Sequence, residues 1–323
     1  MKRSLYAIVA TFFLTFLSSC AQDHVQTPSE EGGYFLVSHL KEASLGFIDE
    51  NSMTVTSLSS LPTVWEQIIK INETEFLILS DQTRTLSHFD LHTGDVTPLT
   101  EFDDMISDIV YDARATNLIV SYTNTNKLAW ISLEGEVMET VTIENRANDL
   151  YVDNDRLFVL NADEASVDVI SLTSLEIEHT IPVVERASGM FFDGELLWVG
   201  GHGPTGELNQ SVVGYSLASE QEEERIPIGL MPIALGGNQS EASMFVISHG
   251  NDHLYKIDTS SQEVLKEVEV GHNPNYLHVD DDYVIVSNFD SQSLSVFSSD
   301  SLERIAEIDV GSGPHVIVSG EMK

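Results

Sequence analysis

The chain has 323 residues, of which 52 are Asp or Glu and 15 are Lys or Arg, so its formal net charge is −37. Such an acidic chain is not expected to bind nucleic acid, because two polyanions repel each other before contact. One cysteine excludes an intramolecular disulfide framework and any site that needs several thiolates, such as a Cys-based zinc centre. The 42% share of apolar residues is sufficient for a substantial core.

Residues 1–19 have the order of an export signal, with basic residues first, an apolar stretch over residues 5–17, and small residues before Cys20. At about 1.5 Å per residue, this stretch is too short to span a bilayer of roughly 30 Å. Its Leu-Ser-Ser-Cys ending resembles the lipobox of bacterial lipoproteins, in which the cysteine is diacylglyceryl-modified and the signal is cut just before it. The resemblance implies that Cys20 is lipidated and anchors the protein to a bacterial membrane, facing outside the cytoplasm.

Residues 20–33 are polar, contain one proline and a Gly-Gly pair, and show no apolar periodicity. Such a composition favours a chain without regular structure. We therefore expect the lipidated cysteine and a flexible tether in this segment, followed by a folded domain over residues 34–323.

From residue 34 onward, the chain repeats short apolar runs that each close on Ser, Asn or Gly. The closing residues are Ser38, Ser80, Ser121, Asn161, Gly200, Ser248 and Ser287. They recur about every 41 residues, with one longer interval of 48. Each unit contains four runs with a period of two and many β-branched residues, which indicates four strands per unit. The sequence predicts an all-β, seven-bladed β-propeller.

The first unit has no innermost strand of its own, because the chain enters the repeat directly at its second strand near Tyr34. A run that matches the missing strand, residues 315–319, stands at the other end of the chain. We predict that this C-terminal strand completes the first blade and hides edges that would otherwise pair with other molecules. We expect a monomer.

Three Gly-x-x-Pro turns, Gly229–Pro232, Gly271–Pro274 and Gly311–Pro314, mark the later units. Together with the run Val284-Ile285-Val286-Ser287-Asn288, they resemble the YVTN repeat; the first four units lack the turn. The resemblance implies a propeller of the kind found in bacterial exported and archaeal surface-layer proteins. It implies no particular activity, since function depends on sites and not on the fold.

Polar residues cluster where the repeat places the loops of one propeller face, namely those joining the second to the third strand and those entering the next blade. The candidate ligand residues on this face are His39, His202, His249, His253, His272, Asn288 and His315. Neutral imidazoles bind zinc, copper and other borderline metals. A divalent metal held by His39, His249, His272 and His315 is therefore one hypothesis.

Outside this face the sequence contains no recognisable pairing of a nucleophile with a base. We therefore expect a non-catalytic lipoprotein whose propeller binds a small molecule or a protein partner. The alternative is a propeller enzyme, either a metal-dependent lactonase or hydrolase or a quinoprotein-like oxidoreductase, with the histidine-bearing face as its site. The scarcity of Lys and Arg weighs against quinone or phosphate substrates, which need basic residues to bind them.

Overall fold

The computed structural model describes residues 23–27 and 31–322. Within these ranges it contains 29 strands, β1 to β29, and one short 3-10 helix, Gln239–Glu241. This part of the chain has no helix that is long and apolar enough to cross a bilayer. The signal peptide and the lipidation predicted for Cys20 lie outside the described residues.

The strands β2 to β29 form seven antiparallel sheets of four strands each, the blades of a propeller. From the axis outward, blade 1 contains β29 (Pro314–Met322), β2 (Gly32–His39), β3 (Ser44–Asp49) and β4 (Thr54–Ser60); blade 2 contains β5 (Gln67–Lys70), β6 (Glu75–Ser80), β7 (Thr85–Asp90) and β8 (Asp95–Glu101); and blade 3 contains β9 (Ile106–Asp112), β10 (Asn117–Tyr122), β11 (Lys127–Ser132) and β12 (Val137–Thr142). Blade 4 contains β13 (Asp149–Asp153), β14 (Arg156–Asn161), β15 (Ser166–Ser171) and β16 (Ile177–Pro182), and blade 5 contains β17 (Ala187–Phe192), β18 (Leu196–Gly201), β19 (Ser211–Ser216) and β20 (Gln221–Pro227). Blade 6 contains β21 (Pro232–Asn238), β22 (Ser243–Ser248), β23 (His253–Asp258) and β24 (Glu263–Glu269), and blade 7 contains β25 (Pro274–Val279), β26 (Tyr283–Asn288), β27 (Ser293–Ser298) and β28 (Arg304–Asp309). The predicted all-β, seven-bladed architecture is confirmed.

The ring closes through the C-terminal strand. Strand β29 pairs with β2 along its length, from Gly32 opposite Met322 to His39 opposite Pro314. Each innermost strand also contacts the innermost strands of both neighbouring blades, and β29 links β25 to β5 in this way. The predicted closure of blade 1 by the last strand is therefore confirmed, and the propeller begins slightly earlier than expected, at Gly32.

The cores lie between neighbouring blades, where the middle strands of each sheet are buried on both faces. Phe47 of blade 1 packs in one cluster with Trp65 and Phe89 of blade 2, and Trp65 and Phe89 have ring centroids 5.3 Å apart. The outer strands alternate between exposed and partly buried residues, which explains their weaker apolar pattern in the sequence.

Residues 23–27, within the segment 20–33 for which the composition predicted a flexible tether, lie against blade 2; residues 20–22 and 28–30 are outside the described residues. Strand β1, Asp23–His24, pairs with the outer strand β8 and makes blade 2 five-stranded. Val25, only 2% exposed, enters the core between blades 1 and 2, and its N–H donates to the carbonyl of Gly94. The free edge of β8 pairs with β1, and the core between blades 1 and 2 takes up Val25. The composition of the segment does not reveal either partner.

Candidate functional site

One end of the propeller axis is shaped by irregular starts to the inner strands. The pairing register shifts near the beginning of β9, β17, β21, β25 and β29. A β-bulge leaves a residue out of the ladder and re-aims its side chain. Several polar side chains at this end, here called the axial end, therefore contact one another across blade boundaries.

Five of these residues, Gln67, Asp108, Asp149, Asn275 and His315, are here called the axial polar cluster. Gln67 Nε2 donates to Asp108 Oδ1 over 3.1 Å, from blade 2 to blade 3. The N–H of Leu150 in blade 4 donates to Asp108 Oδ2 over 2.7 Å. These hydrogen bonds join the inner strands of blades 2, 3 and 4.

Asp108 and Asp149 form a carboxyl pair on adjacent inner strands. Their side chains hydrogen-bond to each other, which requires a shared proton. Burial, followed by the charge of Asp149, raises the pKa of Asp108 well above its usual range; burial also raises the pKa of Asp149, although the Asp108 side chain and the Gly189 N–H counter it. Protein atoms surround both groups, yet both keep partial contact with solvent along the axis. The pair therefore binds a proton more tightly than two isolated aspartates would.

The other side of the cluster joins blade 7 to blade 1. Asn275 Nδ2 donates to His315 Nδ1 over 3.2 Å, and the ring of Tyr276 meets His315 edge-on with centroids 5.5 Å apart. Burial, with a smaller effect of the Asp108 charge, raises the pKa of Tyr276 to about 12, so Tyr276 lies within electrostatic reach of the carboxyl pair. Asn275 Oδ1 is buried without a hydrogen-bond partner among the described residues.

Burial lowers the pKa of His315 from 6.5 to about 4. Below pH 6.5 the unfolded chain therefore binds a proton that folded His315 resists, and stability is lost as the pH falls towards 4. We expect this histidine to account for up to roughly 3 kcal/mol of acid destabilisation. In His315→Asn, whose amide oxygen can still accept from Asn275, urea unfolding should show a smaller loss between pH 7 and pH 4 than the wild type. Equal losses in the two proteins would contradict the assignment.

His202 and His249 lie together at the boundary of blades 5 and 6. Their ring centroids are 6.2 Å apart, and His249 Nδ1 lies 3.3 Å from the carbonyl oxygen of Pro274. Burial, then the charges of Arg186 and His249, lower the pKa of His202. His202 is therefore neutral at physiological pH.

Two more of the candidate residues, His272 and His253, have carboxylate partners. His272 is largely exposed, and its Nδ1 lies 2.7 Å from Asp252 Oδ2, which raises its pKa. The nearby Lys41 and Asp290 form an ion pair of 2.7 Å. His253 stands at the start of β23, with Nε2 3.6 Å from Glu267 Oε1.

His39 and Asn288 are fully buried, and each makes hydrogen bonds within its own blade. Each is the last residue of the second strand of its blade, and each bonds a serine five residues later, His39 to Ser44 and Asn288 to Ser293. Asn288 Oδ1 also accepts from the N–H of Gly271, the first residue of a Gly-x-x-Pro turn. A Cβ at Gly271 would lie 2.6 Å from Asn288, which explains the glycine. Asn161 repeats the arrangement with Ser166.

The predicted metal set does not assemble. Within residues 23–27 and 31–322, no group of three or more His, Cys, Asp or Glu side chains is placed to hold a metal ion. His39 is fully buried between sheets, and burial lowers its pKa; His272 points into solvent beside Asp252; His249 and His315 have their own partners. The repeat predicted loops and strand ends for these residues, but their side chains point in different directions and do not converge.

Of the candidate residues, only His315 belongs to the axial polar cluster; the sequence reasoning missed the other four members. A usable signal was present, because the contacts join residues one repeat apart. The separations are 41 for Gln67 and Asp108, 42 for Asp108 and Leu150, and 40 for Asn275 and His315. Comparing the first inner-strand positions of all units would have selected them, whereas the search for histidines did not.

The comparisons with known proteins support the fold alone. No family model and no curated protein matches the chain. Among solved structures, it is similar to a functionally unknown protein from Desulfotomaculum acetoxidans, with a TM-score of 0.70 and 11% identity over 90% of this chain and 99% of that chain. It is also similar to two structures of AztD from Citrobacter koseri, one of them the apo form, with TM-scores of 0.60 and 0.59 (apo) and 10% identity. Each match covers 91% of this chain and 99% of the AztD chain. The chain therefore has the fold of a seven-bladed β-propeller.

Proposed function

We propose that the protein is a lipid-anchored binding protein outside the bacterial cytoplasm, with a non-catalytic propeller of YVTN-type repeats. The single cysteine after an export signal supports the anchor, and the Gly-x-x-Pro turns, one of which bonds the buried Asn288, support the repeat type. The binding role rests on the axial polar cluster, where two carboxyl groups with raised pKa values belong to partly exposed residues.

The anchor predicts a covalent diacylglyceryl group on Cys20. In a bacterial host fed an alkyne-bearing fatty acid, the wild-type protein should take up the label and sediment with membranes. The variant Cys20→Ser should lose the label and leave the membrane fraction. An unlabelled wild-type protein in the soluble fraction would contradict the proposal.

The cluster favours a small ligand with a protonated amine or a similar cationic donor group. Two carboxyl groups and the buried Asn275 Oδ1 offer acceptors, and the neutral His315 beside them adds no positive charge that would compete with a cation. Neither Asp108 nor Asp149 has a Lys or Arg among the groups that shift its pKa. An ammonium group would therefore supply the charge that a shared proton now supplies.

A panel of small amines such as putrescine, arginine and choline tests this ligand class by thermal shift. We expect a member of the panel to raise the melting temperature of the wild type, more strongly at pH 8 than at pH 6, because ligand and proton compete. The double variant Asp108→Asn, Asp149→Asn should lose the shift, while Asp281→Asn, which changes an exposed carboxyl group, should keep it. A panel without effect, or a shift that survives the double substitution, would contradict the proposal.

A further inference from the structure

The N-terminal segment meets the propeller at its outer rim. Asp23 pairs with Val96 and His24 with Asp95, on the outer strand of blade 2. The carbonyl of Gln26 then accepts a hydrogen bond from Ser59 Oγ on the outer strand of blade 1. With Val25 buried next to these contacts, the segment is fixed to the rim of blades 1 and 2, on neither end of the axis.

The link between this fixed point and Cys20 is very short. Only Ala21 and Gln22 separate Cys20 from Asp23 in the sequence. Three Cα–Cα steps span no more than about 11 Å. This is comparable to the Debye length of about 8 Å at physiological ionic strength, so charges on the rim near the anchor interact with the membrane surface.

The rim differs in charge around the ring. Near the anchor, the outer strands have few charged residues: none in β4 of blade 1, two in β8 of blade 2 and one in β12 of blade 3. Of the other blades, β16 of blade 4 has one, β20 of blade 5 and β24 of blade 6 have four each, and β28 of blade 7, which adjoins blade 1, has three. Charged side chains of either sign lose hydration when they are pressed against lipid, so the sparsely charged strands near the anchor can contact a bilayer at a smaller cost.

Exposed apolar side chains occur on both sides of the ring, so they do not explain the difference. Leu58 of blade 1 and Met138 of blade 3 are each 52% exposed, and Leu265 of blade 6 is 55% exposed. Near the anchor, however, Leu58 stands among uncharged neighbours in the strand sequence TVTSLSS of β4. There it can enter the headgroup region without bringing carboxylates with it.

We propose that the outer strands of blades 1 to 3 form the membrane-facing rim of the anchored protein and rest on the lipid surface. This inference rests on the proposed lipid anchor at Cys20. The propeller axis then lies along the membrane plane, and the axial end opens sideways, where a diffusing ligand can enter it.

Site-directed quenching tests this orientation. The full-length lipidated protein is prepared with one introduced cysteine, Leu58→Cys, Met138→Cys or the matched control Leu265→Cys, and labelled with a fluorophore. Because Cys20 is acylated, the introduced thiol is the only one that reacts. The proteins are reconstituted on vesicles of phosphatidylethanolamine and phosphatidylglycerol with a headgroup-attached quencher. We expect quenching at positions 58 and 138 to be several-fold greater than at position 265.

The possible outcomes separate the orientation from the anchor. Protein that floats with the vesicles but shows equal quenching at all three positions, or more at position 265, overturns the orientation and leaves the anchor intact. Protein that does not float and lacks the lipid by mass spectrometry overturns the anchor and, with it, this inference. A flexible Gly-Ser insertion between Gln22 and Asp23 should lower quenching at positions 58 and 138 without loss of flotation. Unchanged quenching would contradict the role of the short link.

Discussion

Deleting residues 313–323 should abolish cooperative unfolding of the whole propeller. The deletion removes β29, whose Val316 and Val318 pack between blades 1 and 2 and whose Ile317 packs between blades 7 and 1. All three side chains are less than a tenth exposed. At about 1.5–3 kcal/mol per buried aliphatic side chain, their loss approaches the 5–15 kcal/mol that stabilises a typical domain. It also exposes the edge of β2, which then becomes free to pair with other chains.

Differential scanning calorimetry and circular dichroism measure this effect. The full chain should melt in one sharp transition, and the truncated chain should show a broad transition or aggregate. Deleting residues 321–323 alone, which leaves the three buried side chains in place, is the control and should preserve the sharp transition. A chain without residues 313–323 that melts as sharply as the full chain would show that closure does not depend on this strand.

Asp149→Asn should make the protein more stable at neutral pH and less sensitive to pH. In the wild type, folded Asp108 keeps a proton that the unfolded chain releases above about pH 4. Because the folded state then holds more protons, the free energy of unfolding falls as the pH rises towards the raised pKa of Asp108, by up to about 1.4 kcal/mol per pH unit for one proton. An asparagine at position 149 can donate its amide N–H to an ionised Asp108 and so replaces the shared proton permanently.

Urea unfolding at a series of pH values tests this prediction. The advantage of Asp149→Asn over the wild type should be small near pH 4 and should grow with rising pH. Asp281→Asn, in an exposed turn, should follow the wild-type curve at every pH. Parallel curves for Asp149→Asn and the wild type would show that the two carboxyl groups do not share a proton.

The repeat predicted the blades well because its signals are local. Alternating apolar residues define a strand within six or seven positions, and the interval near 41 residues returns the same four strands seven times. The C-terminal strand was predictable for the same reason, since a missing strand at one end matched a spare one at the other. The segment Asp23–Val25 was not predictable in this way, because its partner is the edge of β8 and its own composition is that of a loop.

The histidine face predicted from the sequence and the axial polar cluster formed in the structure differ because the sequence does not show which way each side chain points. The sequence analysis assigned His39 and Asn288 to loops, whereas in the fold each is the last residue of the second strand of its blade, is buried and bonds a serine. The sequence by itself determined the number of strands and blades and the closing segment, because these depend on periodicities along the chain. Only the tertiary structure decided that Asp108 meets Asp149 at the axis, because that contact depends on the bulges and on the curvature of the ring, which bring together residues one repeat apart.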